Sequence, residues 1–195
     1  DLRMSRGLGD VYKRQSLDNE DVHVNMAHCL LEMHEYAKAI ELYEFSLKKY
    51  GNEENSPKLL NLLGRAWYSR ATRERSLEFF QFALDNAQKA LEAENARSSS
   101  VKNDKFLASL KYNVALLHFQ VAETLRRSNP KSRTLSTIQV AQAGLDTGLQ
   151  ILKELKELEG FVIIPKEELE QRIQLGETTM ESALERCVKE QEAYE

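Results

Sequence analysis

Helix breakers are scarce in this chain, with 3 prolines and 8 glycines among 195 residues. Together with abundant Leu, Ala, Glu and Lys, that shortage predicts an all-helical chain. No apolar run approaches the roughly 18 residues of a membrane-spanning helix, and no secretory signal pattern opens the sequence. Cysteine is nearly absent: Cys29 and Cys187 lie far apart without CxxC spacing. This gives no support to a disulfide framework and reads as two buried, reduced thiols. An excess of basic charge is also missing, since the formal net charge is −4. Neutralising phosphates requires clustered Lys and Arg, so nonspecific nucleic-acid binding is disfavoured. What the chain does contain is 42% apolar and 30% charged residues, enough for a core and a well-solvated surface.

Residues 1–15, "DLRMSRGLGDVYKRQ", stand apart. "DVYKRQ" back-translates as GAT-GTG-TAT-AAG-AGA-CAG, which resembles a transposon-end sequencing adapter, so this stretch is expected to be non-native leader. The alternative is a native leader; "GLGD" lacks the third glycine and the preceding strand of a phosphate loop. The leader carries four basic and two acidic residues, which leaves the remainder at about −6.

Internal repetition organises the rest. The tetratricopeptide pattern places bulky, Leu, small and aromatic residues along one helix, then a small residue and an aromatic along a second. "HVNMAHCL" supplies His23, Met26, Ala27 and Leu30; "YAKAIELYEFSL" supplies Tyr36, Ala39, Tyr43, Ser46 and Leu47. A second unit gives Leu60, Leu63, Gly64 and Trp67, then Ser76, Phe80, Ala83 and Leu84. Ala27 and Ala39 are 12 apart, as are Gly64 and Ser76. A looser third unit has Val114, Ala115 and His118, then Ala141, Leu145, Gly148 and Leu149, with its extension assigned to "RRSNPKSRTLS" around Pro130. The fold class expected is therefore an all-α tetratricopeptide-repeat α-solenoid of about three hairpins, the third extended, followed by a long C-terminal helix. The expected divisions are residues 16–98 for two hairpins, 99–159 for the third, and 160–195 for a break and a long helix. That helix bears a stripe near heptad spacing: Leu169, Ile173, Met180, Leu184 and Cys187. It has no C-cap at Glu195, so it is expected to continue further.

The sequence offers no pattern for catalytic or metal chemistry, and neither is expected. His23, His28 and His34 are close in sequence, but Lys38 stands where HExxH needs its second histidine. His23 and His28 project about 140° apart on a helix, so they do not converge. Glu167 and Glu168 fall in a first helical turn, where the dipole favours carboxylates. Cys187 lies near Arg186 and Lys189 but on the apolar stripe, and reads as structural. "LRRSNPKSR" reads as a solvated loop. No enzyme, cofactor or metal is expected. Binding remains, along the concave face that stacked hairpins form. By helical phase its lining is Val24, His28 and Leu31, then Asn61, Arg65 and Tyr68, then Tyr112, Leu116 and Phe119.

Two stretches are more specific than the repeat pattern, "HFQVAETLRRSNPKSRTL" and "IPKEELEQRIQLGETTMESALERCVKEQEAYE", and the repeat "DVHVNMAHCLLEMHEYAKAIELYEFSLKKY" carries the same likeness. They resemble the large tetratricopeptide subunit of the PAF complex, the RNA polymerase II-associated factor of transcription elongation, in its fungal form. The resemblance spans Asp18 to Glu195 and implies a nuclear, non-enzymatic scaffold. It implies other PAF subunits and RNA polymerase II as partners, without sequence-specific nucleic acid or membrane. It also implies support for histone ubiquitylation, histone methylation and RNA 3′-end processing, with the long helix associated with polymerase docking. A rival is a chaperone adaptor that clamps peptide C-termini. Its cationic clamp positions correspond here to Val24, His28, Leu62, Ser109 and Asn113, none of them Lys or Arg.

Overall fold

The computed structural model describes residues 19–98, 103–127, 134–156 and 166–192. Residues 1–15, Pro130, Gly160 and Pro165 lie outside the described residues. The described residues form seven helices and no strand. They are α1 (Glu20–Glu32), α2 (Tyr36–Tyr50), α3 (Ser56–Glu74), α4 (Leu77–Ala96), α5 (Asp104–Arg126), α6 (Leu135–Lys156) and α7 (Lys166–Glu192). Each packs on its neighbour in sequence, and α7 also reaches α5. The result is a helical-repeat solenoid of pairs α1/α2, α3/α4 and α5/α6, with α7 laid on the last pair.

Local chemistry sets the helix ends. Asn19, Ser76 and Asn103 cap α1, α4 and α5, their side-chain oxygens accepting from the N–H groups of Asp21, Phe79 and Phe106. The polar turn "YGNEENSPK" is tightly bonded. Asn52 Oδ1 accepts from the N–H groups of Glu54 and Asn55, while Asn55 Nδ2 donates to Tyr50 O and to Glu20 Oε2. Pro57 then opens α3, where a missing N–H is harmless. Ser76, read from spacing as a small crossing residue, is instead a cap: α3 runs on to Glu74 and turns through Arg75 in left-handed conformation (φ 53°). Extra length in the third pair lies in the helices as well as the connection, since α5 and α6 have 23 and 22 residues against 13 and 15 in α1 and α2.

Small residues permit the helix crossings. Ala27, Ala39 and Ala66 are fully buried around Tyr43 and Leu63 in the first cluster. A Cβ on Gly64 would sit 3.2 Å from Ala83 O and 3.4 Å from Ala87 N, so α3 and α4 meet there backbone to backbone. In the last cluster Ala108, Ala115 and Ala122 recur every seven residues along α5 and let α6 approach with Ile138, Ala141, Leu145 and Leu149. Trp67 joins the first cluster to the middle one, and Ile151 joins the middle one to the last, so the core is continuous along the solenoid. Each fully buried Leu or Ile contributes about 1.5–3 kcal/mol relative to exposure.

Candidate functional site

A groove runs between α3 and α5, floored by Gly64 and Ala87. Its first section, about 170 Å³, has Asn61, Arg65 and Tyr68 on one wall and Asn113, Leu116 and Gln120 on the other. Past Tyr68 and Gln120 it widens to about 780 Å³ between Thr72 and Arg75 at the end of α3 and Thr124 and Arg127 at the end of α5. Intervals of three or four residues place each set on one helix face. Asn113 Nδ2 donates to Asn61 Oδ1 across the groove at 3.3 Å. The Thr72 and Thr124 hydroxyls donate back to Tyr68 O and Gln120 O. Among the described residues no Asp or Glu lines either section.

Of the residues assigned by helical phase, Asn61, Arg65, Tyr68 and Leu116 meet in this groove; the other five do not. Val24 and Leu31 pack onto the first core cluster. His28 Nδ1 hydrogen-bonds the Tyr43 hydroxyl at 2.7 Å. Burial pushes that phenol up to about 12, although the charge of Arg65 opposes the shift. Tyr112 and Phe119 pack onto the last cluster, and the faces one residue further on, Asn113 and Gln120, line the groove instead. Thr72, Arg75, Thr124 and Arg127 were missed as well. Extending the three-and-four spacing from Tyr68 towards the end of α3 finds Thr72 and Arg75.

The histidines have separate partners. His23 Nδ1 lies 2.9 Å from Asn19 O, and His34 Nδ1 lies 3.0 Å from the Tyr36 hydroxyl. His118 is half-buried, 3.4 Å from Gln88 Nε2, and burial lowers its pKa so that the ring is held neutral. Among the described residues no group of three or more His, Cys, Asp or Glu is arranged to hold a metal ion, and no helix is long and apolar enough to cross a membrane.

No family model matches the chain. Over 182 residues, 93% of its length, it is 61% identical to the RNA polymerase-associated protein CTR9 of Saccharomyces cerevisiae. Across that stretch the chain is similar to a segment of CTR9. Over the same length it is 28% identical to Tetratricopeptide repeat protein 1 of Schizosaccharomyces pombe. The chain spans 17% and 16%, respectively, of the lengths of these curated relatives.

The stripe of α7 is covered by the chain itself. Ile173, Met180 and Cys187 are fully buried, together with Ala183, and Leu184 packs beside them on the last cluster. The Leu169 side chain lies outside the described residues. The stripe therefore does not serve as an open docking face. Its close fit shows at two glycines: a Cβ on Gly148 of α6 would lie 3.1 Å from Met180 Sδ, and one on Gly176 of α7 would lie 3.1 Å from Leu152 Cδ1. Burial raises the Cys187 thiol pKa, in keeping with an inert packed position, whereas Cys29, expected to be buried, is exposed on α1.

An ion cluster absent from the sequence reading secures this helix. Buried Glu123 receives Arg126 Nε at 2.9 Å and Nη2 at 3.1 Å, and Arg127 Nε at 2.9 Å. Arg126 Nη1 reaches across to Glu190 Oε1 of α7 at 3.0 Å, and Arg186 lies 3.6 Å from Glu123. Burial acts to raise the Glu123 carboxyl. The hydrogen bonds and charge of Arg126, with the charges of Arg127 and Arg186, outweigh it and hold the group below the usual carboxylate range. A second buried carboxylate, Glu94, pins the end of α4 by accepting from Arg97 Nη1 at 2.9 Å and from the Asn103 N–H at 2.8 Å.

Proposed function

We propose that the chain is a non-enzymatic protein–protein interaction segment of a CTR9-type subunit of the PAF complex. It acts in the nucleus, contributing to RNA polymerase II transcription elongation and to the histone modification coupled to it. Its partners are other PAF subunits and the polymerase. The observation that carries this reading is the 61% identity to CTR9 across 93% of the chain. Identity at that level supports shared partners as well as a shared fold. The groove between α3 and α5 supplies the docking surface: concave, continuous and lined by apolar, amide and guanidinium groups.

Segment exchange tests it. Yeast CTR9 carrying these residues in place of its own matching stretch is expected to co-purify PAF subunits and RNA polymerase II at the level of unaltered CTR9. A stably expressed chimera that recovers neither would overturn the proposal.

A further inference from the structure

We infer that the groove between α3 and α5 takes an extended, acidic segment of a partner protein, with two carboxylates four or five residues apart on either side of one apolar side chain. This deepens the scaffold reading above and rests on it.

Charge distribution carries the inference. The chain has 31 acidic residues against 27 basic ones, yet among the described residues the groove lining holds Arg65, Arg75 and Arg127, the last paired with Glu123 behind the lining, and no carboxylate. The arginines of α3 divide cleanly. Arg70 pairs with Glu74 at 2.9 Å and lies over the Phe79 ring, and Arg73 lies over Tyr36. Arg65 and Arg75, the two that face the groove, are exposed and have no ion-pair partner among the described residues. Arg75 moreover holds φ 53° just past the end of α3, where the absence of a Cβ makes glycine the favoured residue. The guanidinium stands at the groove mouth despite that strain.

Geometry sets the spacing. Arg65 and Arg75 are ten positions apart, about 15 Å along the helix axis. An extended chain rises about 3.3 Å per residue, so carboxylates four or five residues apart reach both. Between the arginines lie Tyr68 and, opposite, Leu116, an apolar seat for one side chain. Asn61 and Asn113 use one donor and one acceptor on each other, which leaves Asn61 amide protons and the Asn113 carbonyl to meet a peptide backbone.

The test uses peptide pools bound to the immobilised 195-residue chain. Each pool has a fixed Leu flanked by two positions, four or five apart, set as Glu, Gln or Lys and randomised elsewhere. The Glu pool is expected to be retained about five- to tenfold over the Gln pool at low salt, the size two exposed ion pairs provide. That preference is expected to vanish in high salt and in the double variant Arg65→Ala/Arg75→Ala, whose circular dichroism stays unchanged because both side chains are exposed. Equal retention of Glu and Gln pools, lost together on Tyr68→Ala, overturns the acidic assignment and leaves the groove reading standing. A Glu preference that survives the double arginine variant also overturns it. If no pool is retained in a manner dependent on Tyr68 or the arginines, the groove itself falls.

Discussion

Glu123→Ala is expected to lower the unfolding free energy by about 3 kcal/mol at neutral pH, the low end of what removing one partner of a buried ion pair costs. It strips the common acceptor from Arg126, Arg127 and Arg186 and leaves three guanidinium groups facing one another. The loss stays at the low end because Arg126 keeps Glu190 and because Arg127 is largely in water. Amide hydrogen exchange is expected to locate the loss in α7, which these charges tie to α5. Acid provides a second signature. The folded-state pKa of Glu123 is depressed. Its contribution is therefore complete above the ordinary carboxylate value and disappears as pH falls through the folded value. The gap between parent and variant, measured by denaturant melts, should close on acidification; a gap unchanged down to the acid limit would refute this assignment.

Tyr43→Ala is expected to cost about 3–5 kcal/mol, the range for removing a buried aromatic side chain. Tyr43 is fully buried among Ala39, Ile40, Leu63 and Ala66, and its hydroxyl bonds His28 of α1. It therefore couples the first pair to the second. Tyr43→Phe keeps the ring and removes only the hydrogen bond, so it should cost about 1 kcal/mol. Denaturant melts of both variants distinguish packing from hydrogen bonding: comparable losses in the two would show that the hydroxyl, not the ring, dominates.

The repeat spacing was legible because a solenoid writes its crossings into the sequence. Ala27, Ala39, Tyr43, Gly64, Ala83, Ala115 and Leu145 are small or bulky where helices meet, and all are buried. The stripe of α7 was equally legible, but a stripe says that a face is covered and not what covers it; here α6 does. The groove was half legible. In the second pair a single phase reading reached Asn61, Arg65 and Tyr68. In α5 the same spacing reached Leu116 but fell one residue short on either side of it, and a shift of one residue rotates a helix face by about 100°. It therefore found Tyr112 and Phe119, which face the core, in place of Asn113 and Gln120. Glu94 and Glu123 gave no signal at all. A charged residue on a helix looks solvated in sequence, and only the meeting of α4 with the start of α5, or of α5 with α7, reveals a buried pair.

The groove is where this scaffold is proposed to hold a partner. Photo-crosslinking within the assembled complex tests it most directly, using the CTR9 chimera with p-benzoylphenylalanine at position 68 or at position 82. Tyr68 and Phe82 are equally exposed, at 39% and 38%, but only Tyr68 lines the groove. The account predicts a crosslink to another subunit from position 68 and little from position 82. Crosslinking from position 82 with none from position 68 would contradict it.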